Sequence, residues 1–313
     1  MDGEGHLSLG KIPRRGRSTE YPVRVVVYNT NLEILAEIQR TWGGTLSDTG
    51  MRNARWKPGL ALIWTNAAAA GILAQVAPFL RIKSKQASEL LRFHDHVCHG
   101  QRTRDRGGHL LPLPKGELRF RRALHQRVKV MNARGPGPEV SAERSETIWD
   151  SSGLLRGKPS AEYLAGFVDA EGAIMISKSS GTDTGNPQHR ARISVSNTCR
   201  SVLEEIQQSY GGILTHARQP IAGWKDAYQL VWTDGRVKEL LSVLRPHLRL
   251  KRKQVLLMMA FLRNRERTYE GRRRAGRHHD RLPAVVIADR ERSYRRMKEL
   301  NAKGPRVLTP ART

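Results

Sequence analysis

Two stretches of the chain repeat one order of hydrophobic and polar positions. In the second stretch, Arg192, Ser194 and Ser196 alternate with Ile193 and Val195, which is typical of a half-buried strand. The pattern predicts, in order, a helix at 159–170, strands at 173–179 and 192–197, a helix at 198–210, strands at 212–217 and 227–233, and helices at 235–245 and 252–264. With the last two helices counted as one helical segment, the predicted order is αββαββα, which indicates an α+β fold with antiparallel sheets.

The repeat is visible in the residues as well as in the pattern. Residues 29–86 align with 197–254 without a gap, at a constant separation of 168 positions. The matching segments are Asn29-Thr30 with Asn197-Thr198, Gly43-Gly44 with Gly211-Gly212, Trp56-Lys57 with Trp224-Lys225, Trp64-Thr65 with Trp232-Thr233, and PFLRIKSKQ (78–86) with PHLRLKRKQ (246–254). The chain therefore contains two copies of one structural unit.

The repeats predict the domain boundaries. We place an N-terminal repeat at 1–134, a linker at 135–160, a C-terminal repeat at 161–304 and a tail at 305–313. Segment 99–118 is rich in Gly, Pro, Arg and His and is predicted to be a loop, and the basic segment 265–282 is predicted to be mobile.

The first repeat begins abruptly. DGEG (2–5) aligns with DAEG (169–172), but YLAGFV (163–168) precedes the second motif and only Met1 precedes the first. We therefore expect the first repeat to lack its opening helix. Three explanations stay open: a start at an internal Met, translation in frame with an upstream exon, or a decaying gene.

The charge of the chain indicates a polyanionic partner. Lys and Arg number 55 against 29 acidic residues, a formal net charge of +26, which favours nucleic acid. The two cysteines, Cys98 and Cys199, do not indicate a disulfide framework. No apolar run approaches the roughly 20 residues that a membrane span needs.

The segment LAGFVDAEG (164–172) resembles the signature of the LAGLIDADG homing endonucleases. The duplicated order of elements and the basic PFLRIKSKQ-type segment at one fixed distance extend the resemblance over almost the whole chain. It implies tandem αββαββα repeats, two antiparallel sheets that form a DNA-binding saddle, and signature helices that pack at the interface through small residues such as Ala165 and Gly166.

The resemblance also implies a set of catalytic residues. The metal-binding acids are Glu171 and Glu4, with the preceding Ala170 and Gly3 included in the metal site, and Mg²⁺ is the implied ion. Asp169 and Asp2 rank second, as residues that cap and pack. The implied catalytic set is Glu171, Glu4, Lys251, Lys83, Asn197 and Asn29.

Two of these assignments keep alternatives. The role of the basic residue near the cleaved phosphate falls on Lys83 and Lys251, but the pairs Arg81 with Arg249 and Lys85 with Lys253 could share it. Asn29 and Asn197 fall where the family orders metal-bound solvent, but an Asn before a helix is also a common N-cap.

One face of each sheet should contact the major groove, where side chains can distinguish all base pairs. The predicted contacts are Ser177, Arg192, Ser194, Ser196, Thr215, Lys225 and Gln229 in the second repeat and Arg24, Tyr28 and Lys57 in the first. Because the two sets differ, the site should be asymmetric. HDHVCH (94–99) resembles a zinc cluster, but no partner pair at zinc spacing accompanies it.

The function that follows is a monomeric, Mg²⁺-dependent endonuclease of the homing type. The family implies cleavage of double-stranded DNA at a long asymmetric site, short 3′ extensions, and a gene within an intron. The alternative is a non-cleaving relative that binds nucleic acid, such as an intron RNA maturase or a degenerate binder. We expect a chloroplast or mitochondrial gene, or a prokaryotic cytoplasm, and no membrane partner.

Overall fold

The computed structural model describes residues 1–15, 18–50, 59–100, 111–133, 157–180, 187–217, 226–275 and 282–302. The described residues up to 133 form one compact unit and those from 157 onward form a second. The tail 305–313, most of the linker, half of the loop 99–118, and the predicted DNA contacts Lys57 and Lys225 lie outside the described residues. The domain boundaries therefore stay a prediction.

The first unit is a four-stranded antiparallel sheet covered by helices. Its elements are β1 (Gly5–Leu9), β2 (Val23–Asn29), α1 (Leu32–Trp42), β3 (Thr45–Asp48), β4 (Leu60–Thr65), α2 (Asn66–Val76), a 3₁₀ turn (Ala77–Phe79), α3 (Ser84–His99) and α4 (Lys115–Met131). The strand order is β1-β2-β4-β3. Helix α1 begins where the Asn31 side chain accepts the Ile34 N–H at 3.2 Å, a typical N-cap.

The second unit repeats this arrangement after an additional opening helix. Its elements are α5 (Ala161–Glu171), β5 (Gly172–Ser179), β6 (Gln188–Asn197), α6 (Arg200–Tyr210), β7 (Ile213–Ala217), β8 (Ala227–Thr233), α7 (Gly235–Leu244), α8 (Arg252–Arg274) and α9 (Ala284–Leu300). The strand order β5-β6-β8-β7 matches the order in the first unit. The predicted α+β class with two antiparallel sheets is confirmed.

Strand alternation places the core of each unit on one face of its sheet. In β6, Ile193 and Val195 are fully buried, and they lie beside Leu230 and Trp232 of β8. In the first unit, Val25 of β2 pairs with Trp64 of β4 in the same way. Side chains at the intervening positions point to the opposite face, which the helices do not cover.

A pair of glycines follows α1 in the first repeat and α6 in the second, and each pair packs against a buried Trp. Gly44 has φ +99°, and a Cβ there would lie 2.9 Å from the Trp64 ring. The Trp64 indole donates to the Trp42 carbonyl at 2.9 Å, and Trp232 donates to the Tyr210 carbonyl at 3.0 Å. The buried Trp thus satisfies its polar group on the end of the helix, and only glycine leaves room for it.

Three segments differ from the sequence prediction. Helix α4 starts inside the predicted loop 99–118, helix α9 was not predicted, and α8 continues to Arg274 through part of the segment predicted to be mobile. The unpredicted parts of these helices bury few side chains: α4 buries Leu124 and Val128, α9 buries Met297, and α8 buries none after Leu262. Such sparse apolar positions give little periodic signal. No helix in the described part of the chain has both the length and the hydropathy that a membrane span needs.

Candidate metal and nucleic-acid site

Each unit has an acidic turn directly before its first strand. We define the acidic turns as residues 1–4 and 168–171. In the second, α5 ends at Glu171 and the Gly172 N–H donates to the Val168 carbonyl. In the first, the Gly5 N–H donates to the Met1 carbonyl at 3.0 Å. The two turns therefore have the same hydrogen bond, and each places a glutamate immediately before a strand.

The first acid of each turn is buried and accepts three backbone N–H groups. Asp169 accepts from Arg249 at 2.6 Å, Leu250 at 3.0 Å and Lys251 at 3.0 Å. Asp2 accepts from Arg81 at 2.7 Å, Ile82 at 3.1 Å and Lys83 at 3.0 Å. These are the first N–H groups of the segments that lead into α8 and α3, so each aspartate fixes its acidic turn to a helix about 80 residues away.

The lysines of the same segments return the contact. The Lys83 ammonium donates to the carbonyls of Met1, Asp2, Gly3 and Gly5 at 3.2, 2.7, 3.0 and 2.7 Å. The Lys251 ammonium donates to the Asp169 carbonyl. A cation at the carbonyl end of a helical turn is electrostatically favourable. We call each aspartate with its lysine the Asp–Lys clamp, in which Asp2 pairs with Lys83 and Asp169 with Lys251.

The exposed glutamate of the first turn is held by the predicted asparagine. The Asn29 amide donates to a Glu4 carboxylate oxygen at 2.5 Å, and the Asn29 Oδ1 accepts the Asn31 N–H at 2.8 Å. The N-cap alternative for Asn29 is wrong, because Asn31 caps α1. The turn that Asn29 makes with Asn31 fixes its amide, and the amide in turn fixes Glu4.

The second turn differs in this contact. Asn197 accepts the Cys199 N–H at 2.8 Å, as Asn29 accepts that of Asn31. Cys199 occupies the N-cap position of α6, so the N-cap alternative is wrong here too. Glu171 is exposed, and its carboxylate makes no hydrogen bond or ion pair with the residues that the structure describes. Glu171 is therefore open to an external ligand.

The uncovered face of the second sheet carries a connected set of polar side chains. Arg192 donates to Gln229 Oε1 at 2.9 Å, and the Gln229 amide donates to Ser196 Oγ at 3.2 Å. Thr215 Oγ1 donates to the Gln229 carbonyl at 3.3 Å. Four predicted contacts from three strands thus meet, and their hydrogen bonds hold the Arg and the amide in place before any partner binds.

The uncovered face of the first sheet has different chemistry. Arg24 and Tyr28 are exposed on β2, and His6 is exposed on the neighbouring β1. Partial burial, then the charges of Lys83 and Arg24, lower the pKa of His6. His6 therefore offers a neutral ring near pH 7. The sequence prediction missed His6, although its register opposite Val26 places it on the same face as Arg24.

Two predicted contacts need correction or stay open. Ser194 lies on the predicted face but is only 3% exposed, and Val26 at the equivalent position of the first repeat is also 3% exposed. Both lie on a strand that is paired on each side, and a side chain so little exposed offers almost no surface to a base, so the prediction of Ser194 as a base contact is corrected. Ser177 is half-buried, and its hydroxyl donates to the Arg190 carbonyl at 3.4 Å.

Solved structures share this architecture, whereas no family model and no curated protein matches the chain. The LAGLIDADG meganuclease I-AabMI bound to uncleaved DNA superposes with a TM-score of 0.68, at 13% identity, over 94% of this chain and 95% of that one. The chain has the LAGLIDADG homing endonuclease fold. I-SmaMI bound to cleaved DNA matches with a TM-score of 0.65 at 11% identity, over 95% and 92% of the two chains. I-GzeII in complex with its DNA target matches at 0.63 and 13%, over 96% of each.

Within this LAGLIDADG fold, the donors at the acidic turns fit a hard cation. Mg²⁺ is usually held by one or two carboxylates together with water and substrate phosphates, and each turn presents one exposed carboxylate. Among the described residues, no three His, Cys, Asp or Glu side chains cluster as a complete metal cage. The Gly3 carbonyl already accepts the Lys83 ammonium, so Gly3 is a weaker candidate ligand than Glu4.

The lysines that are alternatives for the basic residue near the phosphate differ in their contacts. Lys83 and Lys251 donate to backbone carbonyls of the acidic turns, as described above, whereas Lys85 and Lys253 are exposed as the second residues of α3 and α8. The side chains of His94, His96, Cys98 and His99 form contacts within the α3–α4 pair instead of a cluster: His96 bonds Glu117 at 2.9 Å, and His99 pairs with Asp95 at 3.0 Å.

Proposed function

We propose that the protein is a site-specific, Mg²⁺-dependent DNA endonuclease of the homing type. The observation that supports this most directly is the exposed glutamate at the end of each acidic turn, in a fold in which I-AabMI, I-SmaMI and I-GzeII have been solved bound to DNA. The +26 net charge and the polar uncovered sheet faces supply the chemistry that duplex DNA requires.

In this proposal Glu4 and Glu171 each contribute a carboxylate to metal binding at the acidic turn of their own unit. When bound, the metal ion would activate water and stabilise the charge on the phosphate oxygens. I-SmaMI has been solved on its uncleaved DNA target in the presence of calcium ions, which is consistent with a divalent cation at such a site. Asn29 orients Glu4, while the Asp–Lys clamps fix the backbone of both turns.

The uncovered faces would select the target. Arg192 and Gln229 present guanidinium and amide donors of the kind that recognise guanine and adenine edges in the major groove. Arg24, Tyr28 and His6 would contact a different set of bases. We propose on this basis an asymmetric double-stranded target that is bound by one copy of the chain. We also propose that the gene of the protein lies inside an intron of an organelle or a prokaryote.

One observation favours the alternative of a non-cleaving binder. The lysines that the family resemblance assigns to catalysis are engaged by backbone carbonyls, Lys83 by four and Lys251 by that of Asp169. A binder of DNA or intron RNA needs the basic sheet faces but has no use for a free cation at the acidic turns. The cleavage experiment below distinguishes the two functions.

The decisive test compares Glu171→Gln with the wild type on a plasmid library of randomised inserts. We expect the wild type to cut a subset of plasmids with Mg²⁺ and to stop in EDTA. Glu171→Gln should lose at least about a hundredfold in cleavage rate, as other lost transition-state contacts do, and should bind selected DNA within about threefold of wild type. Glu270→Gln, an exposed glutamate of α8, is the matched control and should cut normally.

Two results would count against the nuclease. Undiminished cutting by Glu171→Gln would remove Glu171 from the mechanism. DNA or RNA binding by a wild-type protein that cuts no plasmid at any Mg²⁺ concentration would establish the binder instead.

A further inference from the structure

The last described helix of each unit ends at an asparagine that reaches back to the first strand of that unit. Asn132 is the C-cap of α4, and its side-chain amide donates to the Leu7 carbonyl at 2.7 Å. Asn301 is the C-cap of α9, and its amide donates to the Ile174 carbonyl at 2.8 Å. The two contacts are equivalent, because Leu7 and Ile174 each lie three residues after the exposed glutamate of their acidic turn.

The asparagines recur in helices that otherwise differ. NARG (132–135) returns as NAKG (301–304) at a separation of 169 residues. At the same separation, only three of the 17 residues of α4 have an identical residue in α9. The side chain that joins each helix to its strand has therefore been kept while most of the helix has changed, which indicates a role at the strand.

The carbonyls that the asparagines bind lie on the open edge of each sheet. Strands β1 and β5 are terminal in the strand orders of their sheets, so their outward carbonyls have no neighbouring strand to bond. In the first unit, three alternate carbonyls of β1 are bound by side chains instead: Gly5 by Lys83, Leu7 by Asn132, and Leu9 by His125. The strand that continues directly from the first acidic turn is thereby fixed along its outer side.

In the second unit the same contact helps to hold both sides of Glu171. On one side, Asp169 accepts the N–H groups of the segment that leads into α8. On the other side, Asn301 holds the Ile174 carbonyl, and its Oδ1 accepts the amide of Gln254, the third residue of α8, at 3.4 Å. Because the Oδ1 faces α8, the NH₂ group faces β5. The start of α8 and the end of α9 therefore fix the main chain before and after Glu171.

This support matters because the exposed glutamate depends on its backbone. The Glu171 carboxylate makes no hydrogen bond or ion pair with a described residue, so its direction is set by the main chain between residues 169 and 174. Groups that orient a metal ligand from behind commonly affect metal affinity and rate as strongly as some ligands do. A small displacement of a reacting group is enough to slow a reaction.

We propose that Asn132 and Asn301 are positioning residues for the metal-binding glutamates, Asn132 for Glu4 and Asn301 for Glu171. The inference rests on the proposed function, in which these carboxylates bind the metal. Each amide fixes the open edge of the strand three residues beyond the glutamate, and the fixed strand keeps the carboxylate in the geometry that metal binding requires. Each asparagine acts through the strand and not through a ligand of its own.

The test compares Asn301→Ala with the matched control Gln207→Ala. Both variants remove a side-chain amide that donates to a backbone carbonyl in the second unit. The Gln207 amide donates to the Gly212 carbonyl at 3.2 Å, directly before β7, which is the opposite edge strand of the same sheet. We expect similar shifts of the urea midpoint in the two variants, so any difference between them in the measurements below is local.

Hydrogen–deuterium exchange of the full-length protein, without metal or DNA, measures the effect on the turns. In Asn301→Ala, the amides of residues 168–175 should exchange about fivefold faster, the factor that one ordinary hydrogen bond contributes to local opening. Residues 1–8 should exchange as in the wild type. Asn132→Ala should show the opposite distribution, and Gln207→Ala should leave both segments unchanged.

Cleavage separates positioning from general stability. On a DNA that the wild type cuts, Asn301→Ala should lower the cleavage rate of bound DNA about tenfold, as the loss of a group that supports a metal ligand does. It should also raise the Mg²⁺ concentration that gives the half-maximal rate. The dissociation constant for DNA should stay at the wild-type value, because only the geometry of the reacting groups is lost. Gln207→Ala should match the wild type in all three quantities.

Unchanged exchange at residues 168–175 in Asn301→Ala would overturn the proposal, because the asparagine would then not hold the strand. So would an equal rate loss in Gln207→Ala, or a loss of DNA affinity as large as the loss of rate, since either result assigns Asn301 to general stability. A wild-type protein that cuts no DNA would refute the proposed function instead. In that case faster exchange in Asn301→Ala would still support the hold of the asparagine on its turn, and unchanged exchange would still overturn it.

Discussion

At the level of single residues, Asp169 and Asp2 join the acidic turns to distant segments of the chain, which the signature motif alone does not indicate. Each is buried, and each accepts three N–H groups from the segment that carries its lysine partner. The exposed glutamate two residues later depends on this geometry, because the carbonyls around it are held by the lysine of the same clamp. The acids ranked second from the sequence thus build the support for the acids ranked first.

This support gives the first prediction. Asp169→Asn replaces a charged acceptor of three N–H groups with a neutral amide, which also turns an NH₂ group toward backbone donors. We expect a loss of about 2–4 kcal/mol in the free energy of unfolding, measured by urea denaturation. Glu171→Gln, two residues away and exposed, should stay within about 0.5 kcal/mol of wild type. Equal stability of the two variants would mean that the clamp does not hold the turn.

The clamp could not be found from the sequence alone, and the reason is physical. The hydrogen bonds join Asp2 to Lys83 and Asp169 to Lys251 across some 80 residues, and neither hydrophobic period nor local motif reports such a contact. The repeat did show that both acids and both lysines recur together. The sequence therefore indicated both acids and both lysines as members of the candidate site, but it did not indicate that the lysines donate to backbone carbonyls of the acidic turns.

At the level of elements, charged side chains of α9 contact the sheet in addition to the buried Met297. Glu291 of α9 accepts Lys178 of β5 at 2.8 Å and approaches His189 of β6 at 3.3 Å. Arg295 adds an ion pair within the helix at 3.1 Å. The hydrogen bond from Lys178, with those from Arg295 and His189, lowers the pKa of Glu291 to about 2. The stabilisation from these ion pairs should therefore decrease at acidic pH.

The second prediction concerns the pH dependence of this attachment. Because the pKa of Glu291 is lower in the folded protein than its ordinary value near 4.5, the unfolded chain binds the proton first as the pH falls. The stabilisation is complete above about pH 5 and is lost between about pH 4.5 and 2. Glu291→Gln should therefore be less stable than wild type at pH 7, and the difference should shrink toward pH 3. Urea midpoints of both proteins across this range would show it, and a difference independent of pH would contradict the assignment.

Polar attachment also explains which elements the sequence predicted and which it missed. The strands alternate cleanly, and their buried residues, such as Ile193 and Trp232, are strongly apolar, so both sheets were predicted. Helix α9 contributes Met297 to the core and otherwise depends on pairs such as Glu291 with Lys178. Pairs of this kind leave no periodic hydrophobic signal, and a basic helix then resembles a mobile segment in sequence.

On the scale of the whole molecule, duplication has preserved the two sheets while changing their uncovered faces. The acidic turns, the clamps and the Gly–Trp contacts recur in both units. Arg24 in the first unit and Arg192 in the second are equivalent positions that keep the same residue, but Arg192 is tied to Gln229 and Arg24 makes no hydrogen bond or ion pair with a described residue. Because Arg24 and Arg192 have different surroundings, we expect them to select different bases.

The third prediction follows from this asymmetry. Arg192→Gln should relax base preference at one or two positions of the selected DNA site, and Arg24→Gln should relax it at other positions, because the two side chains lie on different sheets. A lost base contact is worth about 1–3 kcal/mol of discrimination. Sequencing of DNA selected by each variant from a randomised library measures this directly.

The control separates base contacts from phosphate contacts. Arg273→Gln removes the same charge from the end of α8, which belongs to neither sheet, and should weaken binding to all sequences about equally or leave it unchanged. Relaxation at symmetry-related positions of two half-sites in Arg24→Gln and Arg192→Gln would mean that the two faces contact equivalent bases, and the target would then be a palindrome. Uniform weakening in both variants would assign the arginines to the phosphate backbone, and specificity would have to come from the remaining side chains of the two faces.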